Sequence, residues 1–181
     1  TLVSDPVPTL SADQIEDLTF IREEEKLARD VYLYAYDVYG LNIFNNIASS
    51  EQTHMSRMGD LIETYQLEDP VTDDTPGAFN NEELQALYAT LTSQVDQSLT
   101  EALTVGAIIE DLDIKDLNEA LERSTQADIQ TAYEMLRCGS GNHIRAFVGQ
   151  LEQNGAAYTP QFLSADEYQV IITGSHEQCG R

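Results

Sequence analysis

A chain of 181 residues with a hydrophobic fraction of 41% fits one domain with a full-sized core, which excludes disorder as its default state. Only 9 Lys and Arg stand against 32 Asp and Glu, a formal net charge of −23, so the field repels phosphate backbones and excludes nucleic acid and anionic membrane surfaces as partners. The acidic excess reads either as a solvated surface suited to a salty medium or as an electrostatic funnel for cations.

Residues 1–10, with the loop-like Ser4-Asp5-Pro6-Val7-Pro8, are expected to be extended. They contain no basic n-region followed by an apolar h-region, and a start at Thr1 is compatible with a removed signal peptide or a truncation. No apolar run approaches the roughly 18 residues that span a bilayer, so the chain reads as soluble, with cytoplasmic and exported locations both open.

Ser11 with Gln14 fits a capping box and predicts a first helix over 11–39, ended by Gly40. A second follows Asn42, over 43–66. Glu68 to Gly77 is loop by composition, and a shorter helix covers 82–93. Ser98 with Glu101 opens a helix over 98–123, and the next runs over 126–153 with Asp128 in its first turn to complement the dipole. Ser164 with Glu167 opens a small helix near 164–172 that packs outside, and 173–181 is a polar tail. No segment alternates with period two, so no strand is predicted. Residues 11–172 are expected to form one all-α domain of two tight hairpins joined by a long crossover, the connectivity of a ferritin-like antiparallel four-helix bundle.

Core positions of a bundle recur at alternating steps of four and three. That stepping runs Leu18, Ile21, Glu25, Ala28, Tyr32 on the first long helix and Phe44, Ile47, Glu51, His54, Met58 on the second. It runs Leu103, Gly106, Glu110, Asp113, Leu117 on the third and Tyr133, Leu136, Ser140, His143, Phe147 on the fourth. Each seam has a polar interruption near its middle. At 1.5 Å rise per residue, Glu25 lies roughly 22 Å from the Gly40 turn, and Glu51 and His54 roughly 16 and 21 Å from it. Glu110 and Asp113 lie roughly 21 and 17 Å from the turn at Ser124, with Ser140 and His143 roughly 22 and 27 Å away.

Several carboxylates buried together without compensation would protonate or force the helices apart. Two divalent cations would match the charge of Glu25, Glu51, Glu110 and Asp113, with His54 and His143 adding neutral nitrogens. Such mixed ligation suits iron or manganese, with zinc as an alternative occupant. The competing reading is a helical phase off by one residue, since Glu23, Glu24 and Glu25 are consecutive.

Tyr32, two turns from Glu25, is either an aromatic core residue or a phenol close enough to hydrogen-bond a ligand or carry redox chemistry. Arg29 and Asp30 read as a surface or interhelix pair. Cys138 and Cys179 either pair in an oxidising compartment or remain free thiols, and His176 belongs to an unstructured tail.

Glu25-Lys26-Leu27-Ala28-Arg29-Asp30-Val31-Tyr32, followed by Glu51-Gln52-Thr53-His54, resembles the first half of rubrerythrin and other ferritin-like di-iron proteins. From about Leu10 to Tyr168 the chain more closely resembles an uncharacterised ferritin-like domain family. That family shares the Arg22 to Asp30 run, Phe44-Asn45-Asn46-Ile47, the Glu-x-x-His and Asn142-His143. The resemblance implies the fold and a metal site, but no settled activity. In di-iron proteins the fourth helix carries a second Glu-x-x-His, and Ser140 stands here in its Glu slot. Asp113 could supply the carboxylate, or the site is lopsided or holds one metal. Gly139 and Gly141 each cost about 1 kcal/mol in a helix and mark a kink or a close helix contact.

The expected activity is ferroxidase or peroxidase-like chemistry with oxygen or peroxide at two irons. Glu25 and Glu110 would be terminal or bridging ligands, Glu51 a bridge, and His54 and His143 terminal nitrogen donors. Metal storage, sequestration or sensing without turnover, or a metal-stabilised structural domain, are the alternatives. A homo-oligomer stays open.

Overall fold

The computed structural model describes residues 9–179. It contains α1 (Ala12–Tyr39), α2 (Asn42–Thr64), α3 (Glu82–Val95), α4 (Leu99–Arg123), α5 (Ala127–Gln153) and α6 (Ala165–Thr173). Among the described residues there is no strand, and no helix is long and apolar enough to cross a membrane. The extended segment expected over 1–10 lies, apart from Thr9 and Leu10, outside the described residues.

Both arms of the capping box form at Ser11 and at Ser164. At Ser98 only one does: its side chain accepts from the Glu101 amide, while the Glu101 carboxylate turns to Gln94 Nε2 at 2.7 Å. Gly40 closes α1 in the left-handed region, φ 64°, with its N–H donating to Tyr36 O at 2.7 Å, so two residues suffice to reverse the chain into α2.

Side chains fix the packing of the hairpins. Gln14 near the start of α1 donates to Arg123 O at 3.1 Å at the end of α4, and Tyr65 just past α2 donates to Asp128 at 2.8 Å at the start of α5. The helices of each such pair therefore run antiparallel. The crossover between α2 and α4 climbs the bundle and carries α3 back to the top of α1, where Tyr39 donates to Val95 O at 2.7 Å. The result is an all-helical bundle with one long connection.

Every seam position named above is buried. The apolar core falls into two clusters, one around Tyr32, Phe44, Leu103 and Phe147 and the other around Leu18, Met58, Leu117 and Leu136. The polar positions lie between them in sequence on each of the four long helices, so the core is interrupted by a buried layer of ionisable groups.

Arg29 and Asp30 are not at the surface: they are 6% and 1% exposed. Asp30 accepts from Lys26 Nζ at 2.6 Å, Arg29 Nε at 2.9 Å and the Gly77 amide at 3.0 Å. Glu23 accepts from the amides of Asn80 at 2.6 Å and Asn81 at 3.1 Å, and Arg29 reaches Asp74 at 2.6 Å. These contacts pin the crossover along α1. On the other side Asp111 accepts from Tyr158 Oη at 2.6 Å and the Gln161 and Leu163 amides at 2.6 and 2.9 Å, which holds the segment leading into α6.

The tail differs from the loose end expected of it. Cys138 and Cys179 form a disulfide, and Asn142 pairs with the Glu177 backbone through both its amide atoms, at 2.9 Å each. Residues 175–179 have no helical structure, yet they are strapped to α5 at Cys138 and at Asn142, the residue next to His143.

Candidate metal centre

Glu51 lies at the centre of the buried layer, with one histidine on each side. Its Oε2 is 2.8 Å from His54 Nδ1 and its Oε1 is 2.8 Å from His143 Nδ1. Glu25 Oε2 approaches His54 Nδ1 at 3.2 Å, and Glu110 Oε2 approaches His143 Nδ1 at 3.4 Å. Two triads result, Glu25-Glu51-His54 and Glu51-Glu110-His143, each offering ligand atoms within 4.8 Å of one another and sharing Glu51. The two imidazoles stack at 5.7 Å between centroids.

Local sequence explains the geometry. Residues three apart on α2 lie on one face, which brings Glu51 and His54 together. Gly139 gives the His54 ring its room: a Cβ there would stand 2.7 Å from His54 Nε2. It marks a close helix contact. Gly141 makes no such approach, since a Cβ there would meet nothing nearer than the Arg145 guanidinium at 3.9 Å.

Tyr32 is fully buried and donates to Glu110 Oε1 at 2.6 Å. It therefore orients a member of the second triad. Asp113 joins neither triad. Its Oδ2 is hydrogen-bonded to Ser140, which also lies 3.1 Å from Leu136 O, and its Oδ1 has no partner. Serine in the Glu slot thus leaves α5 without a carboxylate in this layer, and Asp113 turns towards that serine.

The His143 and Glu51 atoms stand 2.8 Å apart yet are both without a hydrogen bond, because their alignment is wrong for one. Glu25 Oε1 is also unpartnered. Unsatisfied buried carboxylate and imidazole atoms are costly unless a cation joins them, and this mixture of oxygen and nitrogen donors fits iron, manganese or zinc.

Without a cation the layer settles by moving protons. Burial, then Asp113, pushes Glu25 well above the ordinary carboxyl range. Burial, then Glu51, lifts Glu110 to about 6, and burial, then Glu110, lifts Asp113 to about 8. Burial also works against an ionised Glu51, but the charges of His143 and His54 overcome it and hold Glu51 far below its usual value. Burial opposes a charged His143, but Glu51 and Glu110 raise it to about 10. A metal ion held there would compete for the same atoms, and its loading would release protons.

One buried carboxylate escapes the seam. Glu24 is 1% exposed, both of its oxygens lack a partner, and burial followed by Asp113 and Asp116 pushes it well up. All three consecutive glutamates are buried: Glu23 binds the crossover amides, Glu24 faces α4, and Glu25 faces α2. The signal for this lay in the same run, where Arg22, Lys26 and Arg29 place three of the 9 basic residues of the chain within eight positions. Such a concentration of scarce bases indicates a helix buried on more than one side.

Among protein families, residues 14–175 match the one described as an uncharacterized protein domain, DUF2202. The chain belongs to this family. Uncharacterized protein MJ0754 of Methanocaldococcus jannaschii is 48% identical over 173 residues, covering 96% of this chain and 94% of that protein. The crystal structure of hypothetical protein MJ0754 from Methanococcus jannaschii DSM 2661 matches with a TM-score of 0.93, over 97% of this chain and 100% of that one. The helical bundle of this DUF2202 chain therefore recurs in a relative, and neither description names an activity.

Proposed function

We propose that this DUF2202 domain is a ferritin-like metal protein that holds two ions side by side in the bundle core. Iron is the favoured metal, with manganese as its closest substitute, and the reaction is ferroxidase or peroxidase-like oxidation. The observation that carries the reading is Glu51: one carboxylate directs each of its oxygens to a different histidine, and a different glutamate closes each triad.

Glu51 would bridge, Glu25 with His54 would hold one ion, and Glu110 with His143 the other. Bound iron would supply the electrons for reducing oxygen or peroxide. The chain supplies the rest. Tyr32 fixes Glu110, Gly139 admits the His54 ring, and the apolar clusters above and below limit water. The carboxyls release protons as metal enters, which links loading to pH.

Anaerobic loading with ferrous ion, followed by metal analysis and oxygen or peroxide consumption, tests this. Two irons per chain and oxidant consumption that vanishes in Glu51→Ala are expected. Two irons without consumption would remove the catalytic claim.

A second reading is favoured by depth: Glu25, Glu51 and Glu110 are each 1% exposed, as suits a closed metal core. Under it the ions only stabilise or are stored. Glu51→Ala would then lower the Tm of the metal-loaded chain with no oxidant consumption in either form.

A further inference from the structure

A cleft of about 370 Å³ lies between the first turns of α1 and the end of α4. Asp13, Glu16, Asp17 and Asp116 line it, against a single base, Arg123. Arg123 is engaged by Asp17 at 2.7 and 2.9 Å, which leaves Asp13 and Glu16 in excess. Asp116 accepts from the neighbouring Lys115 at 2.8 Å through one oxygen.

Asp116 both lines this cleft and faces the buried Glu24. Glu24 has two unpartnered oxygens, Asp113 beyond it has one, and Asp113 borders the carboxylates of the core layer. Asp113 and Asp116 are three residues apart on α4, about 4.5 Å along its axis and on one face, and Glu24 lies against both from α1. The three do not form a set within 4.8 Å, unlike the two core triads. They make a row, not a cage.

We infer that Asp116, Glu24 and Asp113 are successive stations that pass a divalent cation from the α1–α4 cleft to the Glu51 layer, an inference that rests on the metal-centre reading above. A buried carboxylate with no donor is costly unless it takes up a proton or a cation, and Glu24, beside Asp116, stands where the cleft can supply a cation. Carboxylate oxygens without basic partners suit a divalent cation, and an acidic cleft raises the local concentration of such ions at its mouth. Stations too far apart to grip one ion together release it readily, as a route requires.

Stopped-flow uptake of cobalt(II) by the metal-free full chain, followed by its visible absorbance, tests the route. The wild type is expected to fill two positions. Glu24→Gln should fill the same two at least tenfold more slowly, Asp116→Asn should also slow filling, and Glu83→Gln, exposed on α3, should not. Equal rates in Glu24→Gln and wild type overturn the route, as does a lower final stoichiometry at an unchanged rate, which would make Glu24 a ligand of the core. Equal slowing by Glu83→Gln overturns it too, as an effect of net charge. A wild type that takes up no cobalt defeats the metal-centre reading and the route together, whereas a wild type that fills while both cleft variants match it defeats the route alone. If Glu24→Gln does not fold by circular dichroism, Asp116→Asn, at the edge of the cleft, carries the test.

Discussion

Asp30 and Glu110 are both 1% exposed, yet the fold treats them in opposite ways. Asp30, on the crossover side of α1, is surrounded by donors: Lys26, Arg29 and the Gly77 amide. Glu110, in the seam between the hairpins, receives one hydrogen bond from Tyr32 and faces other carboxylates and His143. The first kind of burial is complete within the chain, because each charge meets an opposite charge or an amide. The second is incomplete within the chain, and on the function proposed above a cation would complete it. Buried acid is therefore not by itself a sign of a site; buried acid without donors is.

The largest expected effect comes from breaking the complete side. Asp30→Ala leaves Lys26 buried without a counter-charge and takes from Arg29 one of its two carboxylates, and should cost about 3–5 kcal/mol with or without metal. Urea denaturation in chelator and in metal checks this, and a loss confined to the metal-loaded form would contradict the division. Gly139→Ala places a methyl 2.7 Å from the His54 ring. Overpacking of this sort costs about 1–3 kcal/mol, and metal affinity should fall as His54 is displaced. Isothermal titration with manganese reads the second effect.

The pH dependence sharpens the contrast. Asp113, ordinarily near 3.8, stands at about 8, so in the metal-free chain its contribution is fully present below about 4 and is lost as pH rises through about 8. His143, moved from 6.5 to about 10, and Glu110, moved from 4.5 to about 6, act in the same direction over their own windows. Glu51, whose value is lowered, acts the other way, and its contribution is lost as pH falls below about 4.5. The Tm of the metal-free chain should therefore decline from pH 6 to pH 9, while that of the metal-loaded chain holds or rises, because deprotonated ligands bind metal better. Parallel slopes in differential scanning calorimetry would remove the cation from the account. The smallest stability effect is expected of Glu110→Gln in chelator, since the amide keeps the shape of the carboxyl and its oxygen still accepts from Tyr32. The same variant should nevertheless bind one ion fewer.

Much of this was legible in the sequence because it is periodic. Steps of four and three placed Glu25, Glu51, His54, Glu110 and His143 on facing seams, and depth along each helix brought them to one layer. The same stepping put Asp113 in the layer but could not show that its side chain turns to Ser140, since that depends on rotamers and not on register. Asp30, Glu23 and Asp111 were illegible as buried groups, because what covers them is a crossover and a segment near the C-terminus, neither of which has a period. Glu24 was hidden for a related reason. A seam has one face, whereas α1 is enclosed by α2, α4 and the crossover through residues 23–32, all of them buried. The pairing of Cys138 with Cys179 likewise depends on where a non-helical tail lies.

The most direct test of the central claim is an anomalous-scattering map from crystals of the chain grown with manganese or ferrous ion. Two peaks flanking the Glu51 carboxylate, one with Glu25 and His54 and the other with Glu110 and His143, are predicted. A layer without metal, or a single ion that does not touch Glu51, would contradict the account.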